Sequence, residues 1–297
     1  MDLSAISNSK WATGVVLGVG KMMPPSVGHR LARQVGSHIA ANHDDPMVQT
    51  MRANQWMASR GTLSGQALDD AVRDAFSYSG RFLYDLYHVM EDPDSLMGMV
   101  EVDETFERVL AEDKERPHVY AGVHLGNFDL IGRALGHHGW KQQLLSIANP
   151  NEGYQWQNEM RERYGFDVTP VSIEALKRAA RRLADGSSVT TGLDRPLLDA
   201  KQFPSFFGRP SSLPLLHIRL AMHARVPVVV FSALLGDDGK YRVQVSEPLE
   251  METGGDTASA MIINGERVLR EAEKLIECAP RQWAMTHAVW PDIVGTV

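Results

Sequence analysis

From His118 onward the chain alternates short β-rich runs with helical segments, and no other feature of the sequence narrows its fold as far. The candidate strands are "HVYAGVHL" (118 to 125), "QQLLSIAN" (142 to 149), "FDVTPVS" (166 to 172), "SSVTTGL" (187 to 193), "VPVVVFSALL" (226 to 235) and "YRVQVSEPL" (241 to 249). Helical stretches fill 127 to 137, 151 to 164, 173 to 185 and 212 to 224, and a final one covers 256 to 278. Parallel neighbours need a long crossover, usually a helix. The pattern therefore predicts an α/β fold, with a central, mostly parallel mixed sheet flanked by helices. The last strand follows the turn signal "GDDGK" and is expected to pair antiparallel.

The first hundred residues read as helix. Between Leu63 and Met90, Leu68, Val72, Ala75, Phe76, Phe82, Leu83 and Leu86 recur mostly at spacings of three, four and seven, the signature of an amphipathic helix, with Ser64 as its expected N-cap. The organisation expected is one domain over 1–297, an N-terminal helical region (1–100) leading into an α/β core (101–297). Lys10, Lys21, Arg30 and Arg33 fall in an acid-free stretch beside Trp11, Val15, Val16, Leu17, Met22 and Met23. Such a stretch either lies on an anionic membrane surface or packs as a first helix with solvated bases. Its uncharged run, Trp11 to Gly20, is too short to span a bilayer, which takes about 20 residues. It also lacks a small-x-small cleavage site. A peripheral protein on the cytoplasmic face of the inner membrane is the expectation.

A net charge of −7 argues against a nucleic-acid partner. The lone Cys278 excludes an intrachain disulfide and a cysteine-rich metal site. There is no G-x-S-x-G elbow and no H-E-x-x-H helix, and "GVVLGVGKMM" misses both the phosphate-loop spacing and the third glycine of a dinucleotide fingerprint. His137, His138, His217 and His223 show no ligand spacing, so no metal site is expected.

The segment "VHLGNFD" (123 to 129) remains. If the first strand ends near His124, Gly126 permits a tight turn and Asn127 caps the next helix, whose first turn holds Asp129. That acid can accept a hydrogen bond from one imidazole nitrogen and leave the other free as a general base. Backbone N–H groups near Gly126 and Asn127 can stabilise developing negative charge. His124 and Asp194 each fall at or just past a predicted strand end, where ligands bind in sheets of this kind. A histidine and a first-turn acid are equally at home as structural residues.

"VHLGNFD" resembles the His-x-x-x-x-Asp/Glu block of the glycerolipid acyltransferase superfamily, especially the branch of bacterial lipid A late acyltransferases and mycobacterial phosphatidylinositol mannoside acyltransferases. "GLDRPLLDAKQFPSFFGRPSSLP" (192 to 214) resembles that branch's acidic block and Phe-Phe-Gly stretch, and "APRQWAMTHAVWP" (279 to 291) its C-terminal Gln-Trp signature. "MRANQWMASRGTLSGQALDDAV" is similar to its N-terminal helical region. The resemblance implies the glycerolipid-acyltransferase fold, with His124 as general base, Asp129 as its orienting acid and Asp194 as a second acid, for which Asp199 is the alternative. Gly126, Asn127 and Arg195 are the expected substrate-binding residues of the matched motifs, Phe206 and Phe207 are expected to pack beside the acyl site, and Arg161 and Arg163, after a predicted helix, either hold a phosphate of donor or acceptor or are solvated at the surface. Asp194-Arg195-Pro196 departs from the Glu-Arg-Asp run of the mannoside branch, and Ala288-Val289 replace the arginine pair of lipid A enzymes, which favours a glycolipid or phospholipid acceptor.

The activity implied is O-acyl transfer from acyl-CoA or acyl-carrier protein to a lipid hydroxyl at a membrane surface, with no bound cofactor. An inactive lipid- or carrier-binding homologue and an acyl-thioester hydrolase are the alternatives.

Overall fold

The computed structural model describes residues 23–253 and 256–297. Its main sheet has six strands in the order β3-β2-β4-β1-β7-β8. They are β1 (Val119–Gly122), β2 (Gln143–Ser146), β3 (Asp167–Pro170), β4 (Val189–Gly192), β7 (Val228–Leu235) and β8 (Tyr241–Val245). The five through β7 run parallel, and β8 returns antiparallel beside β7 across a turn containing Gly239 at φ +79°. A short ribbon, β5 (Ser205–Phe206) with β6 (Arg209–Pro210), was not legible as strand in the sequence.

Helices α1 (Pro25–Ala40), α2 (Pro46–Ala58), α3 (Gly65–His88) and α4 (Pro93–Met99) form the N-terminal region, and α5 (Glu104–Glu115) leads into β1. Helices α6 (Phe128–His137), α7 (Glu152–Arg163), α8 (Ile173–Ala184) and α9 (Leu216–Ala224) follow strands, and α10 (Thr257–Cys278) precedes the last segment. The strand-helix order is as the sequence predicts. Strand ends retreat because the pattern registers buried residues while the ladder stops earlier: Val123 and Leu125 are buried beyond the end of β1. Ser64 stands at the N-cap of α3, yet its side chain makes no capping bond. Arg30 and Arg33 lie on α1, whereas the basic and apolar stretch from Lys10 to Met22 lies outside the described residues.

Both faces of the sheet are covered. Val119, Ala121 and Val123 join a core with α8, α9 and α10, while Tyr120 joins a second one with α5 and α6. Burial on two sides explains why the strands read as continuous apolar runs. His217, on α9, is fully buried, and neither ring nitrogen has a hydrogen-bond partner among the described residues. Burial pushes it down from 6.5 to about 4, so the native protein holds it neutral. Its stabilising contribution is complete above pH 6.5 and is lost as pH falls toward 4, a range in which only the unfolded chain takes up the proton. The expected loss is on the order of 3 kcal/mol. Urea titrations at a series of pH values should show this slope, and His217→Leu should flatten it; an unchanged slope refutes the assignment.

Candidate active site

The site forms where β1 and β4, adjacent through Gly122 and Gly192, release their chains at the carboxyl edge of the sheet. Past β1 the chain carries His124 over that edge. Gly126 then turns it at φ +66°, so close to β7 that a Cβ would sit 1.5 Å from the Ala233 carbonyl oxygen. Only glycine fits both the angle and the contact. Asn127 caps α6 by accepting from the Leu130 N–H at 3.3 Å, and its amide donates to the Phe82 carbonyl at 2.9 Å.

The partner of His124 is Asp194. Imidazole Nδ1 lies 2.6 Å from Asp194 Oδ1, and the His124 backbone N–H donates to Oδ2 at 2.9 Å. The Trp283 indole N–H also donates to Oδ2, at 2.8 Å. Asp194 is 0 % exposed. Burial alone would raise its carboxyl, but the His124 charge and the bonds from His124 and Trp283 outweigh it and hold the group below the usual carboxylate range. An ionised acid on Nδ1 fixes the proton there, leaving the Nε2 lone pair of His124, whose side chain is 28 % exposed at the cleft, to act as a base.

Asp129 does not hold the imidazole, contrary to the sequence expectation. Its two oxygens are gripped by Arg161, from Nε at 2.7 Å and Nη2 at 2.8 Å. Burial disfavours the Arg161 charge, but Asp129 more than offsets it and raises its pKa. Nor is the Gly126 N–H free for an oxyanion, because it donates to the Gln282 carbonyl at 3.1 Å. The alternative acid, Asp199, sits on the exposed loop after Asp194 and makes no bond to His124.

Arg161 and Arg195 approach the Tyr154 ring, at 5.4 and 5.6 Å from its centroid. Arg161 is neutralised by Asp129, whereas Arg195 makes no ion pair with a described residue. Arg163 is exposed and away from the cleft wall. Phe206 and Phe207 are also absent from that wall. They are buried behind Trp283, ring centroids 6.2 and 6.4 Å from it, with Phe206 stacked on Trp290 at 5.5 Å.

Two buried residues of α2 complete the support, and sequence reasoning gave them no role. Asn54 donates to the carbonyls of Met285 and His287 at 2.7 and 2.9 Å. Gln55 donates to those of Pro280 and Trp283 at 2.9 and 3.1 Å. The Gln282 side chain pairs with both the N–H and the carbonyl of Leu235 at the end of β7, at 2.9 and 2.8 Å. The signal was an adjacent amide pair, Asn54 and Gln55, between the apolar Met51, Ala53, Met57 and Ala58, since buried amides need partners.

His124 opens on a cleft of about 1440 Å³ and on a smaller adjoining recess of about 340 Å³ that it shares with Asp129, Arg161 and Arg195. The cleft lining includes the apolar Gly122, Gly132, Trp140, Leu144, Phe166 and Phe231, with Arg133 and Thr190 beside them. Among the described residues, no three His, Cys, Asp or Glu side chains gather as metal ligands.

The family model for bacterial lipid A biosynthesis acyltransferases matches residues 5–291, nearly the whole chain. The chain belongs to that family. No curated protein gives a significant match. The protein is accordingly an acyltransferase, and its family implies an acyl donor and a lipid acceptor. The cleft that holds His124 is lined by apolar side chains together with Asp129, Arg161 and Arg195. Among the described residues no helix is long and apolar enough to cross a membrane.

Proposed function

We propose that the protein moves a fatty acyl chain from acyl-CoA or acyl-carrier protein to a hydroxyl of a glycolipid or phospholipid, working peripherally at the cytoplasmic face of the inner membrane. The observation that carries this reading is the bonded series His124, Asp194 and Trp283 at the mouth of an apolar cleft. His124 Nε2 takes the proton of the acceptor hydroxyl as its oxygen attacks the thioester carbonyl carbon. The tetrahedral intermediate collapses, the carbon–sulfur bond breaks, and the imidazolium returns the proton to the departing thiolate, so no bound cofactor is needed. Because the Gly126 amide is engaged, the oxyanion role falls to N–H groups of the first turn of α6. Arg195 suits a phosphate or other anionic group of either substrate.

The test is a labelled acyl-thioester incubated with candidate lipid acceptors. Labelled acyl-lipid is the expected product; free fatty acid alone would mean a hydrolase, and binding without turnover an inactive scaffold.

The apolar part of the cleft lining suits the transferred chain, and Gly132 belongs to it. A Cβ there would lie 3.4 Å from the Phe166 ring, an ordinary contact, so larger side chains grow into the cleft without moving backbone. Gly132→Leu should therefore shift donor preference toward shorter chains, with kcat/KM for long donors falling about 10-fold or more, the scale of losing a few buried methylenes. Competition between long and short acyl donors reads this out, and an unchanged preference places the chain elsewhere.

A further inference from the structure

Three of the exposed large apolar side chains among the described residues occupy one short loop. Leu197, Leu198 and Phe203 are 45, 108 and 56 % exposed, and all three stand on the mouth of the cleft that holds His124. Leu83 of α3, 50 % exposed, stands on the same mouth. An isolated exposed leucine is ordinary, but several gathered around one opening mark a surface that meets something apolar.

The charges around that opening indicate what it meets. Arg195, Lys201 and Arg219 border it. Of the three acids lining the cleft, Asp129 is paired with Arg161 and Asp292 with Arg209, and only Asp199 makes no ion pair with a described residue. A cationic rim on a chain of net charge −7 complements anionic headgroups. The apolar side chains of the loop line the cleft and are also exposed at its edge, Leu198 wholly so, as suits insertion among loosely packed lipids. Continuity with the cleft gives the arrangement a use, because an acyl chain can then pass from bilayer to His124 without crossing water.

We infer that the loop carrying Leu197, Leu198 and Phe203, with Leu83 facing it, is the surface by which the protein docks on an anionic lipid bilayer, mouth of the cleft toward the membrane. This rests on the lipid-acyltransferase reading above, and it moves the principal contact from the N-terminal basic stretch to the rim of the active site.

The test compares the wild type with the triple variant Leu197→Ser, Leu198→Ser, Phe203→Ser and with an α1 variant, Val27→Ser, Leu31→Ser, whose side chains are also exposed. Each is floated with vesicles of phosphatidylethanolamine and phosphatidylglycerol, and each is assayed on bilayer-embedded acceptor and on a dispersed short-chain acceptor. The rim variant is expected to bind vesicles at least tenfold more weakly and to lose bilayer activity in proportion, while keeping its melting temperature and its activity on dispersed acceptor. Wild-type vesicle binding by the rim variant, or its loss only in the α1 variant, overturns the proposal. So does a change in oligomeric state of the rim variant with vesicle binding intact, which would make the rim a contact between copies of the chain. If no form of the protein transfers acyl groups to dispersed acceptor, the activity reading fails, while the flotation result still decides the docking surface.

Discussion

Turnover is expected to fall by at least about 10³-fold in His124→Ala and about as far in Asp194→Asn, with the fold retained in both. The first variant removes the base. The second keeps the volume of the side chain but reverses its bonding. Asp194 Oδ2 accepts from two donors, the His124 backbone N–H and the Trp283 indole, while Oδ1 faces imidazole Nδ1. An asparagine has one oxygen, and two N–H groups call for it at the Oδ2 position. Its NH₂ then points at Nδ1, which must accept, so the proton moves to Nε2 and the lone pair needed for catalysis is gone. In serine-protease triads the same exchange costs about 10⁴-fold through the same change of tautomer. Asp129→Asn supplies the contrast. It leaves the imidazole bonded as before and unpairs Arg161, so it should cost about 2 kcal/mol of stability and act mainly on KM. Steady-state kinetics with thermal melts on the three variants separates these effects. If Asp129→Asn proved the more damaging to kcat, the assignment of Asp194 as the orienting acid would be wrong.

That contrast also marks where linear reading reaches its limit. Strands and helices were legible from 118 onward because a sheet buried on both faces writes itself as apolar runs, and β8 because its turn carries Gly239. His124, Gly126 and Asn127 were legible because strand end, turn and cap are local. The identity of the acid at the imidazole was not. Asp129 lies five residues from His124 in sequence, but α6 carries its side chain to Arg161, whereas Asp194 arrives from 70 positions away because β4 happens to lie beside β1. Strand order is a property of the whole core, and no local pattern encodes it. The side on which Phe206 and Phe207 pack was not legible for a related reason. Their apolarity was plain, but their side was decided by Trp283 and Trp290, which come from the last segment of the chain. Asn54 and Gln55 stayed silent since their partners are backbone carbonyls, which leave no mark in sequence.

Trp283 and Trp290 share one aromatic cluster, with ring centroids 6.5 Å apart and both rings fully buried, yet they should respond differently to the same change. The Trp283 indole N–H donates to a buried carboxylate; that of Trp290 has no partner among the described residues. Replacing either by phenylalanine removes similar apolar volume and should cost stability by a similar amount, about 1–3 kcal/mol. Only Trp283→Phe also deletes a bond to a charged group, worth about 1.5–3 kcal/mol, and frees Asp194 Oδ2 to rotate away from the His124 backbone. The Asp194 carboxyl should then rise toward its ordinary range, since one of the donors holding it down is gone and burial continues to push it up. As the carboxylate loses its fixed orientation so does the imidazole, and kcat should fall about 10- to 100-fold with KM little changed, the scale of losing one such bond. Trp290→Phe should leave kcat within about twofold, since no bond to the acid is touched. Equal loss of kcat in the two variants would mean that Trp283 serves the site through packing alone. A loss of kcat confined to Trp283→Phe, measured at a temperature where both variants remain folded, identifies the indole as the group that holds the acid in place for His124.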